Sequence, residues 1–407
     1  MSEQQIGFLA RLGAAMGAAN YPVTLIRQML GRASAAYGVP ADYIALPNHV
    51  QVSVPVAGSG SVVKSAFLDR DLRFDQAFPL ARLVSDAMAG RVSPADGDAR
   101  LSRVLDSRSP YPAWVTVLGY GVWSTGLSLM LEPTALNVAA AGVLGLLVGV
   151  FSVAAQRAPG LAALLPVLSA FAVTAICIAG VHHLDMDHLG LRALIPPLAM
   201  FLPGAAITLA VIELSSRDVI SGASRLIAGF IQMAQLAFGI LIAAQALRMS
   251  DDQLTGQAVN TLGWWAPWLG VAVYAVGVML FFAPPRSFLP WLVLIAYIAY
   301  LAQYLGNLLM GSYASGFCGG LVLTLAALVV SRGSAAPPAI TLILPGFWLL
   351  VPGSMGLIGV AELFGADGDD ALPSTMISMI SVALGLQAGL VVWRLRSRRR
   401  PDQIGAR

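Results

Sequence analysis

The sequence predicts an α-helical polytopic membrane protein: ten transmembrane helices form a 5+5 inverted repeat with broken helices, behind a small N-terminal α+β cytoplasmic domain. Three observations predict it. Of 407 residues, 57% are hydrophobic and 11% charged, and the mean hydropathy is +0.76, a balance too apolar for a soluble chain of this length. Charge is segregated, with 11 of the 24 Lys and Arg and 9 of the 21 Asp and Glu in residues 1–112. Finally, one apolar stretch occurs twice. From Pro196 the chain reads PPLAMFLPGAAITLAVIEL and from Pro345 it reads PGFWLLVPGSMGLIGVAEL. Pro196, Pro203, Gly204, Val211, Glu213 and Leu214 thus recur at one offset as Pro345, Pro352, Gly353, Val360, Glu362 and Leu363.

Residues 1–112 read as the soluble domain. Helices are expected over 8–19 and 22–37, the second opened by Pro22 and stopped near Gly38. Alternation at Ile44, Val50, Val52 and Val54 predicts a strand over 43–56, and Ala57-Gly58-Ser59-Gly60 turns it into a second strand, 62–68. Apolar spacing at Leu80, Leu83, Val84 and Ala87 predicts a helix over 74–89, and Ser93-Pro94 is an N-cap and first-position pair for a helix to Leu105. The boundary is Ser109-Pro110-Tyr111-Pro112.

Ten apolar segments follow, each near the roughly twenty residues a bilayer helix needs. They lie at 113–131, 136–155, 161–181, 193–212, 226–247, 264–283, 287–306, 312–331, 338–361 and 371–393, and none contains Asp, Glu, Lys or Arg. The first five-helix repeat is 113–248, the second 264–394, and 395–407 is a basic tail. With the N-terminal domain in the cytoplasm, alternation places 11 of the remaining basic residues inside, against Arg192 and Arg248 outside, as the positive-inside rule requires. Five is odd, so the two halves must be inverted. Inverted repeats with broken helices meeting near the midplane characterise secondary transporters.

The Pro-Gly pair within each copy is where the helix should break, because proline removes a donor and glycine tolerates the angles of a break. A lone kink would be a packing feature. Duplicated at fixed spacing, Pro203-Gly204 and Pro352-Gly353 point to a solute site whose exposed backbone groups hold a zwitterion without a charged side chain. For Glu213 and Glu362, helix-end solvation and a gating or proton-carrying role stand side by side. Asp218 and Arg225 belong to the polar turn after Glu213. In the seventh helix Tyr297, Tyr300, Tyr304 and Asn307 share one face, with Gln303 beside them, a stripe suited to a solute path. Gly142, Gly145 and Gly149 favour close helix packing.

Other candidates read blandly. His182, His183, Asp185, Asp187 and His188 read as a solvated outer loop, their spacing not being diagnostic of a metal centre. Cys177 and Cys318 are small buried hydrophobes, His49 is structural, and no GxxxxGK[ST] loop indicates nucleotide-driven transport. The pI near 9.0 reflects loop and tail arginines rather than nucleic-acid binding. No signal peptide is expected at the start.

The run FLPGAAITLAVIELSSRDVISGASRLIAGFIQMAQLAFG carries Pro203-Gly204, Glu213-Leu214, Asp218 to Gly222 and Ser224-Arg225-Leu226. It resembles the signature region of the threonine/serine exporter family. MGAANYPVTLIRQMLGRASAAYG is similar to the family's opening helix, and LLVPGSMGLIG resembles the five-helix unit that some relatives carry as a separate chain. The chain departs from the family's pattern at GVWSTGLSLMLEP in the first membrane helix and at Phe201-Leu202 before Pro203. The resemblance implies export of L-threonine, L-serine or similar small solutes across the inner membrane of a bacterial cell, driven by the proton motive force, with both termini cytoplasmic. The expected partners are the amino acid, protons and the lipid bilayer, with no nucleic acid, cofactor or metal, and with a homo-oligomer left open. Expected substrate contacts are Pro203, Gly204, Thr208, Pro352, Gly353, Tyr300, Gln303, Tyr304 and Asn307. Glu213, Asp218, Arg225 and Glu362 are the coupling or gating set, and no residue is assigned a catalytic role. The rival reading is a membrane-anchored enzyme with hydrolase-like chemistry in residues 1–112.

Overall fold

The computed structural model describes residues 3–56, 60–68, 70–131, 133–184, 194–247, 260–333, 336–350 and 371–398. The chain divides into two compact units: Met1–Pro110 with Leu209–Leu226, and Tyr111–Thr208 with Ile227–Arg407.

The first unit is built on α1 (Glu3–Ala18), whose apolar residues surround it almost completely, with Phe8, Leu9, Leu12 and Met16 all buried. A helix apolar on all sides belongs at the centre of a core. Against it lie α2 (Val23–Ala36), α3 (Phe74–Met88), α4 (Pro94–Leu105) and an antiparallel sheet of order β1-β2-β3. Val50, Val52 and Val54 point from β2 into this core, two residues apart as a pleated strand requires. The single strand expected over 43–56 is two: β1 (Asp42–Ala45) and β2 (His49–Val56), with β3 at Gly60–Phe67. Pro47 has no N–H to donate to a ladder, and Leu46 N–H donates instead to the His49 carbonyl, closing a hairpin. Gly17 meets the Pro47 carbonyl so closely that a Cβ would collide with it. Ser93 caps α4 by accepting from Asp96 N–H at 3.1 Å, as its Ser-Pro signature predicts.

Among its described residues the second unit has only helices for regular elements. It holds α5 (Ala113–Leu131), α6 (Ala135–Ala155), α7 (Pro159–Leu184), the short α8 (Ile195–Leu198) and the start of α9 (Gly204–Ser215). After Ile227 come the rest of α10 (Val219–Ala246), α11 (Ala266–Phe281), α12 (Leu289–Met310), α13 (Ser312–Val330), α14 (Ala339–Leu349) and α15 (Ala371–Arg398). Helix thus occurs in each of the ten predicted membrane segments, and among the described residues six helices are long and apolar enough to cross a membrane, or seven counting one bent pair. Ala266–Phe281 and, within the described residues, Ala339–Leu349 are apolar but shorter than the about twenty helical residues that about 30 Å of hydrocarbon needs.

Glycines set how these helices meet. On α5 and α11, Gly119 faces Leu280 and Phe281, Gly126 faces Tyr274, and Gly277 faces Trp123, so the two helices run antiparallel with their backbones in near contact. Gly121, Gly142, Gly145 and Gly149 join α5 to α6 in the same way, the packing role their spacing suggested. Gly320, Gly385 and Gly389 join α13 to α15, which run parallel. An aromatic cluster fills the α5–α11 crossing: Tyr120 and Trp123 pack on Phe281, and Phe282 stacks on Trp348 at 4.4 Å.

Candidate functional site

The fourth apolar segment breaks where proline and glycine predict. Helix α8 and a 3-10 turn (Ala199–Phe201) end at Leu202, which is extended (φ −69°, ψ 129°), and α9 restarts at Gly204. The two limbs meet at 46°. Pro203 and Gly204 are both buried, and Gly229 of α10 presses on Ile207 and Pro203. The first amides of α9 have no carbonyl one turn back, so the break presents donors and the positive end of a helix dipole. Thr208, one turn into α9, is 3% exposed, and its hydroxyl makes no hydrogen bond.

The broken segment is tied to α5. Tyr120 donates its hydroxyl to the Pro197 carbonyl at 2.8 Å. The second copy repeats the arrangement, with Tyr274 of α11 donating to the Pro345 carbonyl at 2.7 Å. Pro345 corresponds to Pro196 in the sequence repeat, so the two bonds fall one residue out of register. Helix α14 continues through Pro345 and Gly346 to Leu349. The second break predicted at Pro352-Gly353, and Glu362 with it, lie outside the described residues.

The first unit contains a charge cluster that the sequence half disclosed. Glu213, fully buried, lies near the end of α9, and Arg225, 9% exposed, lies on α10. The turn between them is closed by Asp218 N–H donating to the Glu213 carbonyl and carries Arg217 in the left-handed region at φ 65°. Gly222 lets α10 approach Leu214 and Ala210 too closely for any side chain. Arg225 Nε stands 3.2 Å from Glu213 Oε2, paired by charge without an aligned hydrogen bond. The other oxygen, Oε1, accepts from Val23 N–H at 3.1 Å. Helix α2 starts after Pro22, which offers no capping side chain, so a carboxylate 190 residues away caps it. An anion there also complements the helix dipole. Arg27, one turn on, grips Asp218 with both guanidinium nitrogens, Nη1–Oδ1 at 2.6 Å and Nη2–Oδ2 at 2.9 Å. Asp71 lies within electrostatic reach of Arg225.

Sequence reading selected Glu213, Asp218 and Arg225 and missed Val23 and Arg27. The available signal was Pro22: a helix opening without Ser, Thr, Asp or Asn asks where its cap comes from. Much of the stripe on α12 meets α11 and the end of α14. Tyr297 donates to the Trp268 carbonyl at 2.8 Å, Tyr300 and Tyr304 pack edge-on against the Trp268 ring, and Gln303 donates to the Leu350 carbonyl at 3.3 Å. Tyr304 is half exposed, and Asn307 is exposed. In the His182–His188 loop, Asp185, Asp187 and His188 lie outside the described residues. Among the described residues no three His, Cys, Asp or Glu gather as a metal site would need.

Comparison with known proteins gives this geometry a context. The family model described as "Putative threonine/serine exporter" matches residues 7–247, which includes the α+β unit, the break and the charge cluster. The chain is also similar to curated yeast proteins named "Pheromone-regulated membrane protein 10". The one from Eremothecium gossypii is 22% identical, over 95% of this chain and 55% of that protein. The one from Kluyveromyces lactis is 24% identical, over 74% of this chain and 34% of that protein, and the one from Saccharomyces cerevisiae is 26% identical, over 51% and 56%. The chain therefore spans from a third to just over half of these relatives. No solved structure matches it. With a family match over more than half its length, and a multi-pass helical architecture, the chain belongs to the threonine/serine exporter family.

Proposed function

We propose that this chain is a secondary active exporter of small polar amino acids, L-threonine and L-serine foremost, working by alternating access between two inverted halves. The observation that carries the reading is the buried break at Pro203-Gly204 in a chain of the exporter family. Irregular backbone at membrane depth persists only where protein covers it or a wet cavity adjoins it. The antiparallel α5–α11 pair and the matching Tyr120 and Tyr274 bonds to the two proline segments support the inverted halves. The substrate's carboxylate faces the α9 amides at the break. Energy comes from the proton motive force, with Glu213, Asp218 and Glu362 as proton-bearing carboxylates. Helix α2, held to the α9–α10 turn by the Val23–Glu213 hydrogen bond and the Arg27–Asp218 pair, acts as a latch on that turn. The protein resides in the cell membrane with both termini cytoplasmic.

The test is efflux of preloaded, labelled threonine and serine from proteoliposomes, with and without an imposed proton gradient. Gradient-dependent efflux by the wild type that is lost in Gly204→Leu is expected. Absence of efflux of either amino acid from well-inserted wild-type protein overturns the reading and favours a membrane-anchored enzyme with hydrolase-like chemistry in residues 1–112.

A further inference from the structure

Buried hydroxyls in membrane helices ordinarily bond to a carbonyl one turn back. Thr125 does so to Gly121 at 2.8 Å, and in the second half Thr324 does so to Gly320 at 2.9 Å and Thr341 to Pro338 at 2.7 Å. Five hydroxyls of the first half do not: Ser124 and Ser128 on α5, Ser169 and Thr174 on α7, and Thr208 on α9. Each is at most 3% exposed, and none hydrogen-bonds to protein. Among the described residues the second half has no buried side-chain nitrogen or oxygen without a hydrogen-bond partner. An unpaired hydroxyl in an apolar interior is costly, so their concentration on one half calls for a partner.

Their placement supplies one. Ser124 and Ser128 continue the face of α5 on which Tyr120 reaches the Pro197 carbonyl, and the Ser124 side chain lies against Gly145 of α6. Helices α5, α6 and α7 all pack on α8, the first limb of the broken segment, and Thr208 sits one turn beyond the break. We propose that Ser124, Ser128, Ser169 and Thr208 line a hydrated site for a small zwitterionic amino acid in the first half. A hydroxyl both donates and accepts. Such a set satisfies a carboxylate, an ammonium and a solute hydroxyl in turn, with no ionisable side chain in the bilayer. The identity of the solute rests on the export reading; the hydration of the site does not.

The test uses full-length protein in proteoliposomes, with Cys177 and Cys318 changed to Ala and efflux confirmed. Single cysteines replace Ser124, Ser128, Ser169 or Thr208, and Thr324 or Thr341 as buried but internally bonded controls. Cysteine is close in size to serine and threonine, and monodispersity on gel filtration confirms folding. A small charged methanethiosulfonate is expected to modify the first four positions about tenfold faster than the two controls, because only hydrated thiols react with it. L-Serine or L-threonine is expected to slow that modification. Rates equal to those at 324 and 341 overturn the site, as does fast labelling that no amino acid slows. Fast labelling slowed only by a different amino acid keeps the site and overturns the threonine/serine assignment. As a second readout, Thr208→Val should raise the KM for efflux while Thr324→Val leaves it unchanged; equal effects also overturn the proposal.

Discussion

At the residue scale the most consequential group is Glu213, which neutralises Arg225 and caps α2 with its two oxygens. Removing one partner of a buried pair strands the other, so Glu213→Ala should destabilise the protein by about 3–5 kcal/mol. Glu213→Gln keeps an acceptor for Val23 N–H and should lose less, and Glu213→Leu with Arg225→Leu should recover most of the loss. Thermal unfolding of the purified protein in detergent measures all three. If the double variant is no more stable than Glu213→Ala, the stranded-charge account fails. The Arg27–Asp218 pair has its cation 40% exposed, and solvent screening limits what it contributes. A double-mutant cycle with Arg27→Ala and Asp218→Asn should give a coupling of about 0.2–1 kcal/mol despite the bidentate geometry.

At the element scale, helices approach through glycines and are anchored by single tyrosines. Gly277 leaves no room for a Cβ against the Trp123 backbone, whereas Gly160 has nothing within 4 Å. Gly277→Leu should therefore abolish recovery of monodisperse protein, and Gly160→Ala should leave it unchanged; gel filtration decides. Tyr120→Phe and Tyr274→Phe each free one prolyl carbonyl while preserving ring packing. Each should cost about 0.6–1.7 kcal/mol, the range for single hydrogen bonds between membrane helices. Similar losses in the two variants, read by thermal unfolding, would match the equivalence of the two proline segments.

At the scale of the whole molecule, the prediction concerns sidedness. In a background free of other thiols, Ser107→Cys and Ser331→Cys should react with an impermeant reagent only from the cytoplasmic face. Trp264→Cys, where the wild-type side chain is 82% exposed at the start of α11, should react only from outside. Labelling of Ser331→Cys and Trp264→Cys from the same face would refute the alternation on which the inverted halves depend.

Much of this was legible in the sequence because hydrophobic run length, Pro-Gly interruption and charge placement are local properties. They determined the membrane class, the kink at Pro203 and the cap at Ser93. Run length alone does not fix the number of spans, since a segment can be apolar and helical yet short, as α11 is. Local pattern also merged β1 with β2, although Pro47 marked the turn between them. The tertiary structure alone decided partnerships. Nothing near Val23 in sequence says that its N–H meets Glu213, or that the tyrosine stripe of α12 turns to Trp268. Nor does any local pattern distinguish Thr324, bonded to its own helix, from Ser124 and Thr208, which are not. Whether a buried polar atom is satisfied depends on what packs against it from distant parts of the chain, and that information exists only once the helices are assembled.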